Sequence, residues 1–243
     1  MHTFFIKDIP EPGSISVLEK RENDHLFKTL RCRTGEHLRL CNGQGQYAEA
    51  EAMADRTLKI LSRNCADPDP IRIHLFAALP KNSKLDSLLK PATEAGVASI
   101  TPIKCRYSVA EKSTIPERWY TLLEEACKQS GNMFLPRINP AISIAEAIEY
   151  CRQQEFRIFF GAQHGRLLTV HDFPDVSEGC DLAWMVGPEG GFAPEELTML
   201  GQTGCGITLG KHIFRLENAA LAGIAFLHTT ARAAKEFHQQ EQS

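Results

Sequence analysis

At 243 residues, with 43% hydrophobic and 23% charged side chains, the chain has the makings of one large or two smaller globular domains. A formal net charge of −3 excludes nucleic-acid binding through a global field and leaves that role to a local patch. No run approaches the roughly 20 apolar residues of a membrane span, and eight cysteines at 32, 41, 65, 105, 127, 151, 180 and 205 never form a C-x-x-C pair, which argues against zinc and redox centres.

The N-terminus, Met1 to Asp8, lacks the basic and apolar segments of a secretion signal, and reduced thiols in a cytoplasmic protein without a metal are the expectation. Residues 1–66 read as mostly β. Thr3–Ile6, Ser14–Val17, Glu36–Cys41, Gln46–Met53 and Thr57–Leu61 are short, partly alternating runs. Asn42-Gly43 between two of them predicts a hairpin. Asn23–Leu30 predicts a short helix, and the close spacing of strands predicts a small barrel. Between Lys20 and Arg39 six basic residues face three acidic ones, a local balance of +3 that can track phosphates or can be an idle solvated face.

Ala66-Asp67-Pro68-Asp69-Pro70 reads as a linker, because two prolines forbid helix and favour extended backbone before them. The expected division is therefore 1–68 and 69–243.

After the linker, strands and helices alternate. Ile71–Ala78, Ala98–Ile103, Phe156–Phe160, Leu182–Val186 and Gly206–Leu209 read as strands. Ser83–Ala95, Pro116–Ser130, Ser143–Arg152 and Glu217–Lys235 read as helices, and Glu236–Ser243 as a frayed tail. Ser83-x-x-Asp86 and Ser143-x-x-Glu146 match the capping box, and Pro91 predicts a kink or early end in the first of these helices. Pro194-Glu195-Glu196-Leu197 matches a helix start, with proline in the first turn and carboxylates at the positive end of the dipole. The alternation predicts an α/β fold with a parallel sheet covered on both faces.

Four strands end in glycine-marked or basic loops, Leu79-Pro80-Lys81, Gly161-Ala162, Gly187-Pro188-Glu189-Gly190-Gly191 and Gly210 to Arg215. In a parallel sheet these carboxyl ends face one way, so the loops converge on one crevice. The segment contains no G-x-G-x-x-G near its first strand, no P-loop, no G-x-S-x-G elbow and no H-E-x-x-H pair.

The ordered set Leu79-Pro80-Lys81 with Lys84, Lys90 and Thr93-Glu94-Ala95-Gly96-Val97, then Glu125-Ala126 with Gln129-Ser130-Gly131, then Gly187 to Phe192, and finally Leu209-Gly210 with Ile213-Phe214-Arg215 and Glu217, resembles the SPOUT clan of RNA methyltransferases. Within it the bacterial 16S ribosomal RNA uridine-N3 methyltransferase family is similar along the whole chain. The resemblance implies a knotted SPOUT α/β domain behind a small PUA-like β-barrel. It also implies S-adenosyl-L-methionine as methyl donor, homodimerisation, and 16S ribosomal RNA or the assembled 30S subunit as substrate.

Donor contacts carried over by resemblance are Leu79, Gly161, Gly187, Pro188, Glu189, Gly190, Gly191, Leu209, Gly210, Ile213, Phe214 and Glu217. Candidate RNA contacts are Lys28, Arg31, Arg33, Lys81 and Lys84. Arg215 is the candidate for steadying an anionic base, or it pairs with Glu217; Glu217 is a candidate base or a positioning group. The sequence departs from the family pattern at Asn132, where arginine is usual, at Ala193 in place of a capping Ser or Thr, and at Phe214-Arg215-Leu216-Glu217-Asn218. Other readings are a SPOUT enzyme acting on tRNA or a ribose 2′-oxygen, and a catalytically inactive dimeric RNA-binding protein.

Overall fold

The computed structural model describes residues 1–79, 84–108, 114–173, 176 and 179–241. The chain divides into two compact units, Met1–Pro68 with Glu124–Leu135, and Asp69–Leu123 with Pro136–Ser243.

In the first unit β1 (His2–Phe5), β2 (Ile15–Ser16), β3 (His37–Cys41), β4 (Gln46–Ala52) and β5 (Leu58–Cys65) form one sheet in the order β1-β3-β4-β5-β2. β1 runs parallel to β3, and the other pairings are antiparallel. Alternation puts Leu38, Leu40, Ala48, Ala50, Ala52, Leu58 and Ile60 on one buried face, joined by Leu26. At the β3–β4 turn Asn42 Oδ1 accepts from the amides of Gln44 (2.9 Å) and Gln46 (3.2 Å), and Gly45 adopts φ +88°. A Cβ on Gly45 would stand 2.7 Å from the Phe134 ring, so the turn also needs the missing side chain. Lys128 ties Glu124–Leu135 into the same unit by an ion pair to Glu22 at 2.9 Å.

The expected helix at Asn23–Leu30 begins earlier, as α1 (Lys20–Asp24), and continues as a π-helical turn over His25–Thr29. Asn23 does not start it: its amide bonds the Glu19 carbonyl, and its side chain donates to the Arg56 carbonyl at 3.0 Å.

The second unit is a mixed α/β layer structure. Its strands are β6 (Ile71–Ala78), β7 (Ser99–Lys104), β8 (Arg137–Ile138), β9 (Ile142–Ser143), β10 (Arg157–Arg166), β11 (Cys180–Val186) and β12 (Gly204–Ile207). All pair in parallel in the order β12-β10-β11-β6-β7-β8, with β9 also on β7. The helices are α2 (Lys84–Glu94), α3 (Glu117–Ser130, whose residues from Glu124 on belong to the first unit), α4 (Ile144–Gln153), α5 (Pro194–Thr203) and α6 (Leu216–Glu241).

β11 lies between β6 and β10, and Leu182–Val186 are all buried, as a doubly covered strand requires. α6 packs on it by a close approach. Gly223 faces Trp184 so tightly that a Cβ would fall 2.0 Å from Trp184 Cε2, and Trp184 Nε1 donates to the Ala219 carbonyl at 3.2 Å.

The capping box at α4 forms, with Ser143 Oγ accepting from the Glu146 amide (3.2 Å) and Glu146 Oε2 accepting from the Ser143 amide (2.7 Å). The Ser83 cap lies outside the described residues; Asp86 instead accepts from Trp119 Nε1 at 2.6 Å and pairs with Arg118.

Four boundaries differ from expectation. α2 runs through Pro91 to Glu94, because burial of Leu88, Leu89 and Ala92 outweighs the roughly 3 kcal/mol proline cost. β10 does not stop at Phe160 but reaches Arg166, since both Gly161 and Arg166 pair with Ile207 of β12. β12 is Gly204–Ile207 rather than 206–209. α6 continues past Lys235 to Glu241, held by Phe237 edge-on to His171 and by His238 against the Phe173 carbonyl at 3.1 Å. No helix among the described residues is long and apolar enough to cross a membrane.

Candidate active site

A pocket of about 230 Å³ opens at the carboxyl ends of β11 and β12 and beside the middle of β10. Three chain segments wall it: Gly161 to Gln163 in the middle of β10, Val186 to Phe192 at the end of β11 and beyond it, and Ile207 to Gly210 continuing through His212, Ile213 and Phe214. Leu216 and Ala219 of α6 close one side.

The β11 loop folds on itself. The Gly191 amide donates to the Pro188 carbonyl at 2.8 Å, and Gly191 takes φ +76°. A Cβ on Gly187 would stand 3.1 Å from the Phe192 amide nitrogen, so a side chain there would crowd the folded loop. Thr208 Oγ1 accepts from the Gly210 amide at 3.3 Å, which shapes the third segment around Gly210 at φ +133°. Ile213 and Phe214 remain 78% and 42% exposed although they line the pocket, a costly arrangement for apolar side chains without a ligand.

Of the residues expected at the donor site, Gly161, Gly187, Pro188, Glu189, Gly190, Gly191, Leu209, Gly210, Ile213 and Phe214 come together here. Leu79 and Glu217 do not line the pocket. Leu79 is buried at the end of β6, its amide bonded to the Ile103 carbonyl at 3.0 Å, and Glu217 is half-buried in the first turn of α6. Arg215 is exposed at the head of α6, where its carbonyl accepts from the Ala219 amide at 2.8 Å. Among the described residues no ion pair joins Arg215 to Glu217.

In the first unit Lys28, Arg31 and Arg33 are exposed. Lys28 pairs with Asp24 at 2.7 Å and Arg31 adopts φ +55°. Lys81 lies outside the described residues, and Lys84 is placed only as the first residue of α2.

The sequence reading did not name Gln163, Thr208 or Ala219 as wall residues, although the first two lie within two residues of a wall glycine in the chain. It also treated Glu196 only as a helix-dipole carboxylate. Glu196 is 5% exposed and joins two loops, accepting from the Ala193 amide (2.7 Å) and from the Arg106 amide (2.8 Å). Ala193 supplies no side-chain cap, so Glu196 replaces half of the missing box.

Buried thiols contribute no nucleophile. Burial, with Glu196 nearby, pushes Cys105 up to about 12, and burial alone does the same for Cys151. Among the described residues no cluster of three or more His, Cys, Asp or Glu could hold a metal ion.

A backbone-walled pocket at the carboxyl ends of a parallel sheet suits a small cofactor read by amides and carbonyls. Residues 67–228 match the family model described as the RNA methyltransferase domain. The chain belongs to this family.

Within the family, similar curated relatives are the ribosomal RNA small subunit methyltransferases E of Rickettsia conorii and Mycobacterium bovis. The first is 29% identical over 209 residues, covering 83% of this chain and 84% of the relative. The second is 25% identical over 238 residues, covering 91% and 88%. Among solved structures, the ribosomal RNA small subunit methyltransferase E from Neisseria gonorrhoeae, bound to S-adenosyl methionine, superposes with a TM-score of 0.82 at 27% identity, covering 94% of this chain and 97% of that one. A probable rRNA-methyltransferase from Porphyromonas gingivalis gives 0.80 at 25% identity, covering 96% and 99%.

Proposed function

We propose that this chain transfers a methyl group from S-adenosyl-L-methionine to N3 of a uridine in 16S ribosomal RNA, working as a cytoplasmic homodimer on free rRNA or on the 30S subunit. The observation that carries the reading is the convergence of three glycine-bearing segments on one pocket in a chain similar over 94% of its length to a methyltransferase solved with that donor.

The residues present fit the donor. Gly187, Gly190, Gly191 and Gly210 let the backbone lie against an adenine without intervening side chains, and Phe192, Ile207 and Leu216 supply apolar walls. Glu189 lines the pocket and suits a cationic sulfonium, whereas it would repel a phosphate. When bound, the donor supplies its methyl carbon: the S–CH3 bond breaks onto sulfur as the N3–CH3 bond forms, and the N3 proton passes to solvent. The chain's own part is to orient and to stabilise charge. Holding the acceptor nitrogen in line with the methyl carbon supplies up to roughly 7–11 kcal/mol of the barrier. Arg215, exposed next to the pocket residue Phe214, steadies the uracil anion, and Glu217 positions the head of α6.

The first unit, read as a PUA-like barrel, engages rRNA phosphates through Lys28, Arg31 and Arg33, with Lys81 and Lys84 contributing from the second, knotted SPOUT unit.

The test is nucleoside mass analysis of 16S rRNA incubated with the protein and S-adenosylmethionine, both free and in 30S subunits from a strain lacking the gene. New 3-methyluridine in either substrate supports the reading. Folded protein that transfers no methyl group to either one refutes it, and methyl groups on ribose or in tRNA instead assign it elsewhere in the clan.

A further inference from the structure

The turn after β7, Cys105 to Ser108, presents an aromatic side chain that pocket formation does not use. Tyr107 is 51% exposed and is not among the pocket-lining residues. It nevertheless lies against the glycine loop: a Cβ on Gly190 would stand 3.7 Å from Tyr107 Cδ2 and 3.8 Å from its Cβ.

The turn is held from three sides. The Ser108 amide donates to the Cys105 carbonyl (2.9 Å), and the Cys105 amide donates to Ser108 Oγ (3.1 Å). The Arg106 amide donates to the buried carboxylate of Glu196 (2.8 Å). A nearly buried Glu196 thus fixes the backbone immediately before a tyrosine that stays half in water. Next to it the Arg106 guanidinium, itself exposed, meets Glu195 at 3.2 Å, a weak surface pair that an RNA phosphate can displace.

We propose that Tyr107 is the stacking platform for the acceptor nucleotide, receiving the unstacked base at the rim of the pocket beside Gly190 while the donor occupies the pocket itself. The inference rests on the methyl-transfer reading for the identity of the acceptor. It follows from the chemistry of the rim. Every base offers a π-face to an aromatic ring, and a ring pre-oriented by the turn loses little entropy on stacking. A base reached by an enzyme must leave its own stack and needs a replacement surface next to the reacting atoms. Tyr107 stands beside the donor wall without belonging to it, which is the position required of a residue that contacts the second substrate only.

The experiment compares the full-length protein with Tyr107→Ala and Tyr107→Phe in three readouts. These are steady-state kinetics on 30S subunits lacking the modification, calorimetric titration with S-adenosylmethionine, and photocrosslinking to 16S rRNA transcribed with 5-iodouridine, mapped by mass spectrometry. Expected are a fall of about 5- to 150-fold in kcat/KM for Tyr107→Ala, the range of base–aromatic stacking, near wild-type kinetics for Tyr107→Phe, unchanged donor affinity and oligomeric state in both, and a wild-type crosslink at Tyr107.

Wild-type kinetics for Tyr107→Ala, or equal losses in donor binding, overturn the platform and make Tyr107 a support of the glycine loop. A change in oligomeric state likewise overturns it in favour of an interface residue. A wild-type protein that crosslinks at Tyr107 yet transfers no methyl group would leave the platform standing and remove the methyl-transfer reading instead.

Discussion

Replacing Gly223 by alanine puts a methyl group where the Trp184 indole already is. The added Cβ would lie 2.0 Å from Cε2, 2.2 Å from Cζ2 and 2.3 Å from Nε1. The indole has nowhere to go: it is 1% exposed, on a strand between β6 and β10, and its N–H bonds the Ala219 carbonyl one helical turn earlier on α6. Overpacking of this kind costs about 1–3 kcal/mol, and the strained hydrogen bond adds about 1. Alanine returns about 1 kcal/mol through helix propensity. A net loss of about 1–3 kcal/mol is expected from these terms, read from urea unfolding followed by tryptophan fluorescence. Because Leu216 and Ala219 line the pocket, S-adenosylmethionine affinity should fall as well. Gly201 in α5 is the internal control: it is exposed, with nothing within 4 Å of a built Cβ, so Gly201→Ala should stabilise by about 0.5–1 kcal/mol. A Gly223→Ala protein as stable as wild type would refute the close-packing account of α6 on β11.

Glu196→Ala strands the buried-side amides of Ala193 and Arg106 and should cost about 2–3 kcal/mol in chemical unfolding, with Glu196→Gln recovering part of it; equal midpoints would show the carboxylate to be idle. Gly45→Ala combines φ +88° with a 2.7 Å clash at Phe134 and should destabilise the protein by at least about 2 kcal/mol in chemical unfolding. Burial, opposed by Asp181, holds His74 below its ordinary value of 6.5, and burial lowers His228 too. The unfolded chain therefore binds more protons in this range, and stability should be full above about pH 6.5 and fall as pH drops below it. The neutral ring of His74 fits its surroundings, accepting from Ser99 Oγ and donating to Asp181, each at 2.8 Å. A His74→Asn/His228→Asn protein should have a flatter profile between pH 7 and 5, and an unchanged slope would count against these two groups as its source.

Local patterns carried much of this structure. The apolar run Leu182–Val186 ending at Gly187 suits a doubly covered strand with a glycine loop at its carboxyl end, and Ser143-x-x-Glu146 specifies its own hydrogen bonds. What stayed hidden depends on partners distant in the sequence. Pro91 reads as a helix breaker unless the packing of Leu88, Leu89 and Ala92 is known. β10 reads as ended at a glycine because nothing local reveals that Arg166 rejoins Ile207. Glu195 and Glu196 look interchangeable in the first turn of α5, yet one is exposed and the other is buried beneath two loops. The donor wall was legible because glycine announces close backbone approach. Tyr107 was not, since its significance comes only from its position beside Gly190.

The double pairing of Ile207, to Gly161 and again to Arg166, anchors both ends of the four residues between them. Gly165 belongs to the second anchor, where a Cβ would meet the Gly206 carbonyl oxygen at 2.7 Å. Ala162 and Gln163 contribute to the pocket wall from inside this tethered arc. Changes of side chain or length at 162–164 can therefore reshape the wall while the flanking ladder keeps its register, which makes this short arc the part of the pocket most free to diverge.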